Sequence, residues 1–296
     1  MAYLHINNLY RDQRVLLFRE CYALEKVHGT SAKVRWDGAA VSFFSGGEKH
    51  ERFVQVFDID RLSESFRALG HEDRSITVYG EAYGGKCQGM SSTYGKDLAF
   101  VAFDVKIVDS WLDVLNAADV VAKLGLEFVP FRRGPTDLAW IDAQRDADSE
   151  IAIRRGIGPG KIREGVVLRP VIEATLNNGE RLIAKHKRLE FSETATPREV
   201  DPLKVVVLAE AEAIAADWVT PMRLTHVLQR VPGPYEMKQT PAVIAAMTED
   251  VMREAAGEVV WGREAKAAVG TRTARLFKQR VTAMPVTGPS PGVEGA

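Results

Sequence analysis

Apolar and polar residues alternate along the first two-thirds of the chain, in a pattern that predicts β-strands. Residues 32–36 and 41–44 have the two-residue period of a strand, and Asp37-Gly38 between them is a strong hairpin turn. Residues 76–85 form another β-rich run that ends in glycines. Residues 97–108 are almost continuously apolar, as is typical of a strand inside a sheet. An antiparallel-rich sheet structure is therefore expected.

Two later strands and a second hairpin complete the β pattern. We expect strands at 126–131 and 164–169. A turn at Asn177-Asn178-Gly179 then leads into a strand at 182–187. Side chains alternate across a strand, so Lys185 and Lys187 share one face and His186 takes the other.

Helical spacing of apolar residues fills the intervals between strands. It predicts helices at 51–69, at 111–124 with Gly125 after its end, and at 136–147 with Thr136 as N-cap. The glycine-rich segment 156–160 could suggest a phosphate loop. It lacks the Gly-Lys-Ser/Thr ending and leads into a strand, so we reject that interpretation.

Beyond about Pro197 the pattern becomes alanine-rich, acidic and helical. Candidate helices are 205–218, 222–229, 242–256 and 258–280. The last of these has two acids, Glu258 and Glu264, and six basic residues: Arg263, Lys266, Arg272, Arg275, Lys278 and Arg280. Such a face is either merely solvated or a surface that follows phosphates. Residues 285–296 are rich in proline and glycine and are expected to be a disordered tail.

These patterns predict three parts: an α+β domain at 1–196, a small all-α domain at 197–283, and a tail at 284–296. Length and charge agree with this division, since 296 residues suit one large and one small domain. The formal net charge of −1 argues against a uniformly basic nucleic-acid coat protein.

Cysteine content and the N-terminal sequence bear on the compartment. Cys21 and Cys87, the two cysteines, have neither metal-ligand nor redox spacing, which suits a reducing cytoplasm. The N-terminus lacks a signal-peptide pattern, and no later run reaches the length of a membrane span. We expect a soluble, cytoplasmic, monomeric protein.

Two lysines are followed by glycine at the third position after them, Lys26 and Lys86. A match of this kind arises by chance about once in a chain of this length, so neither is informative alone. Lys26 lies at the entrance to the first hairpin. Whether Lys26 is functional therefore depends on which other motifs occur along the chain.

Five short motifs occur in an order and spacing that resemble a known superfamily. They are Lys26-Val27-His28-Gly29, Tyr79-Gly80-Glu81, Ala102-Phe103-Asp104-Val105, Glu164-Gly165-Val166-Val167 and Lys185-His186-Lys187. The set resembles the covalent nucleotidyltransferases, which include ATP-dependent RNA ligases, DNA ligases and mRNA capping enzymes. It is most similar to the phage-type nick-sealing RNA ligases, whose nucleophile motif commonly reads Glu-Lys-x-His-Gly. The resemblance spans about 25–193 and selects Lys26 over Lys86.

The resemblance implies a fold, an activity and a set of ligands. The fold is an antiparallel-sheet, ATP-grasp-like ligase domain followed by a small helical domain. The activity is ATP-dependent ligation of RNA 3′-hydroxyl and 5′-phosphate ends, through AMP bound to Lys26 and then an RNA-adenylate. The cofactors are ATP and Mg²⁺ or Mn²⁺. A phage-encoded enzyme would act in the host cytoplasm.

The resemblance also assigns roles to individual residues. Lys26, Lys185, Lys187 and His28 are the implied catalytic residues, with His28 acting in the later steps on RNA. The implied nucleotide-binding residues are Glu25, Lys26, Glu81, Phe103, Glu164, Lys185 and Lys187. Among them, Glu81 is implied to bind the ribose hydroxyls and Phe103 to stack on adenine. Glu164 is the implied metal ligand.

Elementary chemistry explains why such residues would be needed. A lysine in water at pH 7 is almost fully protonated, and only the neutral amine can attack ATP. Nearby cations disfavour an ammonium group, and the same cations neutralise phosphates. A divalent metal with a carboxylate ligand suits the charge that develops on the phosphoryl oxygens.

One departure and two alternatives stay open. Many relatives have an arginine next to a serine after the first hairpin, where this chain has Ser45-Gly46-Gly47; glycine-loop amides, Lys49 or Arg52 could replace it. A DNA ligase or capping enzyme shares the core, but normally continues into a β-barrel. A non-catalytic nucleotide- or RNA-binding protein is the other alternative, although it would need no nucleophile.

Overall fold

The computed structural model describes residues 3–70, 74–176, 179–192 and 198–283, and these form two compact units. The first comprises residues 1–176 and 180–202, and the second consists chiefly of residues 203–296. The predicted turn residues Asn177 and Asn178 and the predicted tail lie outside the described residues.

The first unit contains two five-stranded sheets. One has the order β1-β10-β9-β2-β8 and is antiparallel except where β1 pairs with β10. Its strands are β1 (Asn7–Asn8), β2 (Glu20–Lys26), β8 (Phe131–Pro135), β9 (Gly165–Pro170) and β10 (Ala184–Lys187). It therefore joins strands from both ends of the unit, with β2 and β9 at its centre.

The second sheet is fully antiparallel and has the order β4-β3-β5-β6-β7. Its strands are β3 (Thr30–Trp36), β4 (Val41–Ser45), β5 (Ile76–Tyr83), β6 (Ala99–Ile107) and β7 (Ser110–Trp111). The hairpin predicted at Asp37-Gly38 joins β3 to β4, and Gly38 adopts the left-handed φ of 103° that such a turn needs.

Helices cover the sheets of this unit. They are α1 (His50–Val54), α2 (Ile59–Ala68), α3 (Ser91–Tyr94), α4 (Val114–Lys123), α5 (Leu138–Asp146) and α6 (Glu150–Arg154). Trp36 and Phe66 stack at 5.7 Å between ring centroids, with their ring planes 6° apart, in the core between the second sheet and α2. A second core, which includes Tyr22, Tyr83 and Tyr94, lies beside the first sheet.

The second unit consists of helices α7 (Pro202–Trp218), α8 (Pro221–Leu228), α9 (Thr240–Glu254) and α10 (Arg263–Ala283). Its core includes Val243, Met247 and Phe277 at 0% exposure. Within its described residues there is no strand, so the predicted mixed α+β fold followed by helices is confirmed.

Several boundaries differ from the sequence predictions, and polar caps explain most of them. The helix predicted at 51–69 is two helices, because the Asp58 side chain accepts the Arg61 N–H at 3.1 Å and starts a new one. The helix predicted at 111–124 begins after Asp113, with Trp111 still in β7. Thr136 is not an N-cap: the cap is Asp137.

The strand predicted at 126–131 was wrong. Between residues 126 and 130 only Phe128 forms a β-bridge, to Ala102, and the strand proper is β8, which begins at Phe131. Burial of Val129 at 2% exposure explains the apolar pattern without a continuous strand. The apolar strand β6 pairs with β5 on one side and β7 on the other, so it lies inside its sheet as predicted.

Candidate active site

Strand register places Lys26 and Lys187 at the same level of the first sheet. Lys26 pairs with Gly165 across β2 and β9, and Lys187 pairs with the same Gly165 across β10 and β9. Two lysines far apart in sequence therefore flank a single residue. This juxtaposition depends on long-range strand pairing and has no local cause.

Gly165 is required at that level by its backbone. Its φ is 151°, and a Cβ there would collide with the backbone oxygen of His186. Glu164, just before it, donates its N–H to the Lys26 carbonyl at 3.2 Å and accepts the Arg188 N–H at 3.0 Å. The backbone of Glu164 is thereby fixed between the two lysine-bearing strands.

The Glu164 carboxylate holds three side chains together. Its Oε2 is 2.8 Å from Lys26 Nζ and 3.2 Å from His28 Nδ1, and its Oε1 is 2.9 Å from Lys187 Nζ. The Glu164 side chain is only 3% exposed. Burial by itself would raise the pKa of Glu164, but the charges of Lys26 and Lys187 outweigh it and hold the pKa below its usual range.

The other face of β10 carries a separate contact. His186 Nε2 lies 2.7 Å from the Asp142 carboxylate of α5, while Lys185 lines a cavity next to Lys26. The predicted alternation of Lys185 and Lys187 against His186 is thus confirmed.

Glu81 approaches the same centre from the second sheet. Its Oε1 accepts the N–H of Gly29, the glycine of the first motif, at 3.2 Å. Burial, opposed by Lys26 and reinforced by Glu164, raises the pKa of Glu81 to about 7. This carboxyl therefore titrates close to neutral pH.

A cavity of about 370 Å³ lies between the two sheets. Lys26, Glu81, Phe103 and Lys185 line it together with apolar residues such as Val129. The volume lies in the range of small-molecule sites, and it combines an apolar wall with charged groups at Lys26. A base could pack on Phe103 while a phosphate reaches the lysines.

Glu25 borders this cavity, but its carboxylate serves the fold. It accepts the Ser149 hydroxyl at 2.5 Å and the Glu150 N–H at 2.9 Å, at the start of α6. The side chain is 0% exposed and lies 3.6 Å from Arg163. Burial raises the pKa of Glu25 even though Arg163 opposes the shift. A side-chain contact from Glu25 to a nucleotide has no support in this conformation.

A buried ionic network closes the cavity, and the sequence interpretation missed it. Asp104, at 0% exposure, accepts from Arg169 at 3.1 Å, from the Tyr3 hydroxyl at 2.6 Å and from Arg181. Tyr3 and Arg169 line the cavity, and the Tyr3 ring meets Phe103 edge-on at 4.9 Å. Asp104 in the apolar sequence of β6 could have indicated the network, because an aspartate is rarely buried without charged or hydrogen-bonding partners.

The substitutes considered for the missing arginine are placed elsewhere. Arg52 pairs with Glu48 at 3.1 Å, and Lys49 precedes the first turn of α1. Among the described residues that line the cavity, neither appears, whereas Ser31 of β3 does.

Metal binding would have to rely on few protein ligands. The described residues contain no group of three or more His, Cys, Asp or Glu side chains that could hold an ion. Mg²⁺ commonly keeps several waters and uses one or two carboxylates plus substrate phosphates. Glu164 fits that mode of binding, and Glu81 lies near enough for the charge of Glu164 to raise its pKa.

No described helix has the combined length and apolar character that a bilayer crossing requires. Both cysteines are free thiols in buried positions.

The fold resembles that of solved ligases. An RNA ligase from Naegleria gruberi, as a lysine-to-alanine variant with ATP and Mn, is 14% identical, with 64% of this chain and 56% of that chain covered and a TM-score of 0.50. A glutamate-to-alanine variant, also with ATP and Mn, is 15% identical, with 64% and 57% covered and a TM-score of 0.50. At such identity the likeness concerns the fold alone. This chain spans little more than half the length of those ligases.

Sequence comparison gives the family. No curated protein sequence matched the chain. The model of the RNA ligase family matches residues 19–187, more than half of the chain and all of the strands that carry the site. The chain therefore belongs to the RNA ligase family.

Proposed function

We propose that this chain is an ATP-dependent RNA ligase that works through AMP bound covalently to Lys26. The observation that carries the proposal is the Lys26–Glu164–Lys187 cluster at the edge of an apolar cavity, with 2.8 and 2.9 Å between the lysine nitrogens and the carboxylate. A protein that only binds nucleotides needs a cavity, but it does not need a lysine held in this way.

The first step forms the enzyme adenylate. Lys26 Nζ loses a proton, attacks the α-phosphorus of ATP and forms a nitrogen–phosphorus bond as pyrophosphate leaves. The nitrogen then releases a second proton to solvent, which leaves a neutral phosphoramidate nitrogen. Phe103 offers a ring face to the adenine, and Glu81 accepts hydrogen bonds from the ribose hydroxyls. Lys185 and Lys187 stabilise the phosphate charge, which is the main requirement of phosphoryl transfer.

The next two steps act on RNA. An oxygen of the RNA 5′-phosphate attacks the AMP phosphorus, the bond to Lys26 breaks, and Nζ takes up a proton. A 3′-hydroxyl then attacks the activated 5′-phosphate, loses its proton and expels AMP. His28, beside Glu164, is proposed to act in these steps. A divalent metal at Glu164 would neutralise phosphate charge.

We also propose roles for the two domains, a cellular compartment and an oligomeric state. Residues 1–196 would be the adenylylation domain, and the helical domain at 197–283 would help to hold RNA through the basic residues of α10. We propose a cytoplasmic monomer, which the free thiols Cys21 and Cys87 support. Sedimentation at several protein concentrations would test the monomer.

DNA ligase and capping activities are the competing functions. Both normally place a β-barrel after the paired-lysine motif, whereas the described residues from 203 to 283 are helices and loops. Together with the RNA ligase family match, this favours RNA.

Covalent labelling tests the proposal. The protein is incubated with Mg²⁺ and ATP labelled at its α-phosphate, and acid-resistant label on the protein is measured. Lys26→Ala should abolish the label. Lys86→Ala is the matched control, because Lys86 has the same spacing to a glycine but is exposed on another turn. Absence of label on the wild type, or equal labelling of the wild type and Lys26→Ala, would contradict the proposed mechanism.

A chase then separates the substrates. The labelled enzyme is mixed with 5′-phosphorylated nicked duplexes or single strands of RNA or of DNA. Transfer of label and sealing on RNA ends support the proposed substrate. Preferential sealing of DNA would replace it.

A further inference from the structure

His28 is held from two sides. Its backbone N–H donates to the Tyr94 hydroxyl at 3.3 Å, and its ring Nδ1 lies 3.2 Å from Glu164 Oε2. With all its neighbours in place the His28 side chain is 32% exposed, so few contacts restrain the ring. Another group must limit its rotation if the imidazole is to keep one position.

Phe191 supplies such a contact. Its ring centroid lies 5.0 Å from that of His28, with 60° between the planes, which is an edge-to-face arrangement. Phe191 ends a short 3₁₀ turn, Leu189–Phe191, that directly follows β10. It lies beyond the matched family segment, residues 19–187.

The turn that carries Phe191 is tied to Glu164. Arg188 N–H donates to the Glu164 carbonyl at 3.0 Å, and Phe191 N–H donates to the Arg188 carbonyl at 3.2 Å. Phe191 and the Glu164 carboxylate, which both contact the His28 ring, therefore belong to one hydrogen-bonded piece of backbone. These bonds fix the position of Phe191 relative to the backbone of Glu164.

We infer that Phe191 is a positioning residue that holds the His28 imidazole against Glu164 for the steps that follow adenylylation. The inference rests on the proposed function. Glu164 Oε2 is shared by Lys26 and His28. Once Lys26 Nζ is bonded to phosphorus it has no positive charge, so its ion pair with Glu164 is lost. His28 then becomes the remaining partner of that oxygen, and its orientation matters more than before.

Loss of the Phe191 ring should therefore affect the transfer of AMP to RNA more than the adenylylation of Lys26. Phe191→Ala should slow transfer of AMP from preformed enzyme adenylate to 5′-phosphorylated RNA by about tenfold, the upper range for one edge-to-face aromatic pair. The rate of Lys26 adenylylation should stay within about twofold, since Phe191 packs on the His28 ring and is not among the described residues that line the cavity. Phe191→Tyr retains the ring and should restore transfer.

A matched control and a double-mutant cycle identify the cause. Leu189→Ala alters the same turn at a side chain that is 67% exposed, and it should leave transfer unchanged. In a His28→Ala background, Phe191→Ala should add no further loss, because its effect passes through His28. Thermal unfolding of each variant shows whether it is folded, and Phe191→Leu serves if the alanine variant is not.

Three results would overturn the inference: multiplicative losses for Phe191→Ala and His28→Ala, equal slowing of adenylylation and transfer, or a matching defect in Leu189→Ala. Each can occur with normal labelling of Lys26, and then only the role of Phe191 fails. If the wild type is never labelled on Lys26, the proposed function fails and the role of Phe191 fails with it.

Discussion

Replacement of Glu81 by glutamine should change how stability depends on pH. Burial raises the pKa of Glu81 from 4.5 to about 7, so the folded protein favours the neutral carboxyl. A raised pKa means that the contribution of Glu81 to stability is fully present below pH 4.5. That contribution is lost as the pH rises through about 7.

The size of the effect follows from the shift. Each pKa unit corresponds to about 1.4 kcal/mol, so ionising Glu81 in the folded state should remove at most about 3 kcal/mol of unfolding free energy. Glutamine is neutral at every pH. The Glu81→Gln variant should therefore gain stability relative to the wild type between pH 4.5 and about 7, and the difference should then level off.

Denaturant unfolding of both proteins across this pH range measures the difference directly. Other groups titrate in both proteins and cancel in the comparison. Lys26→Met is an informative second variant: Lys26 lowers the pKa of Glu81, so its removal should move the transition to higher pH. Parallel stability curves for the wild type and Glu81→Gln would refute the reasoning.

Three further predictions address the backbone, the buried network and the helical domain. Gly29→Ala should destabilise the protein by roughly 1–3 kcal/mol and impair ATP use, because the added Cβ would collide with the Ala82 carbonyl and lie 2.9 Å from Glu81 Cγ. Denaturant unfolding measures the first effect, and labelling with ATP measures the second. Asp104→Leu should cost about 3–5 kcal/mol in denaturant unfolding, because it removes one of the two carboxylates that Arg169 and Arg181 share and leaves both buried arginines with Glu173 alone. On α10, replacement of three exposed basic residues by glutamine should weaken RNA binding and reduce the slope of log affinity against log salt by up to about 2. Labelling of Lys26 should be unchanged. An unchanged slope would mean that this face is only solvated and does not contact RNA phosphates. The three residues are Arg263, Arg275 and Lys278.

Local sequence patterns were reliable where the local backbone decides the structure. The hairpin at Asp37-Gly38 follows from a turn that only a left-handed glycine permits without strain, and β3 and β4 follow from their alternation. The helices of the second unit follow from apolar spacing and alanine content. Failures occurred where a single polar cap, such as Asp58 or Asp113, outweighed a continuous apolar pattern.

Motif order could identify the candidate residues, and it could not place them. Lys26, Glu164 and Lys187 were found from the resemblance, but their 2.8 and 2.9 Å contacts depend on the register of β2, β9 and β10. Glu25 shows the limit of the same reasoning, since it belongs to a motif yet turns its carboxylate to α6.

The sequence by itself determined the class of fold and predicted the two-part organisation and Lys26 as the candidate nucleophile, because periodicity, turn residues and motif order are all local or ordered along the chain. Only the tertiary structure decided which charges meet. The sharing of Glu164 by Lys26, His28 and Lys187, the pairing of Asp104 with Arg169 and Arg181, and the contact of Phe191 with His28 join residues from distant parts of the chain. Their proximity results from strand register and burial, which no local pattern specifies.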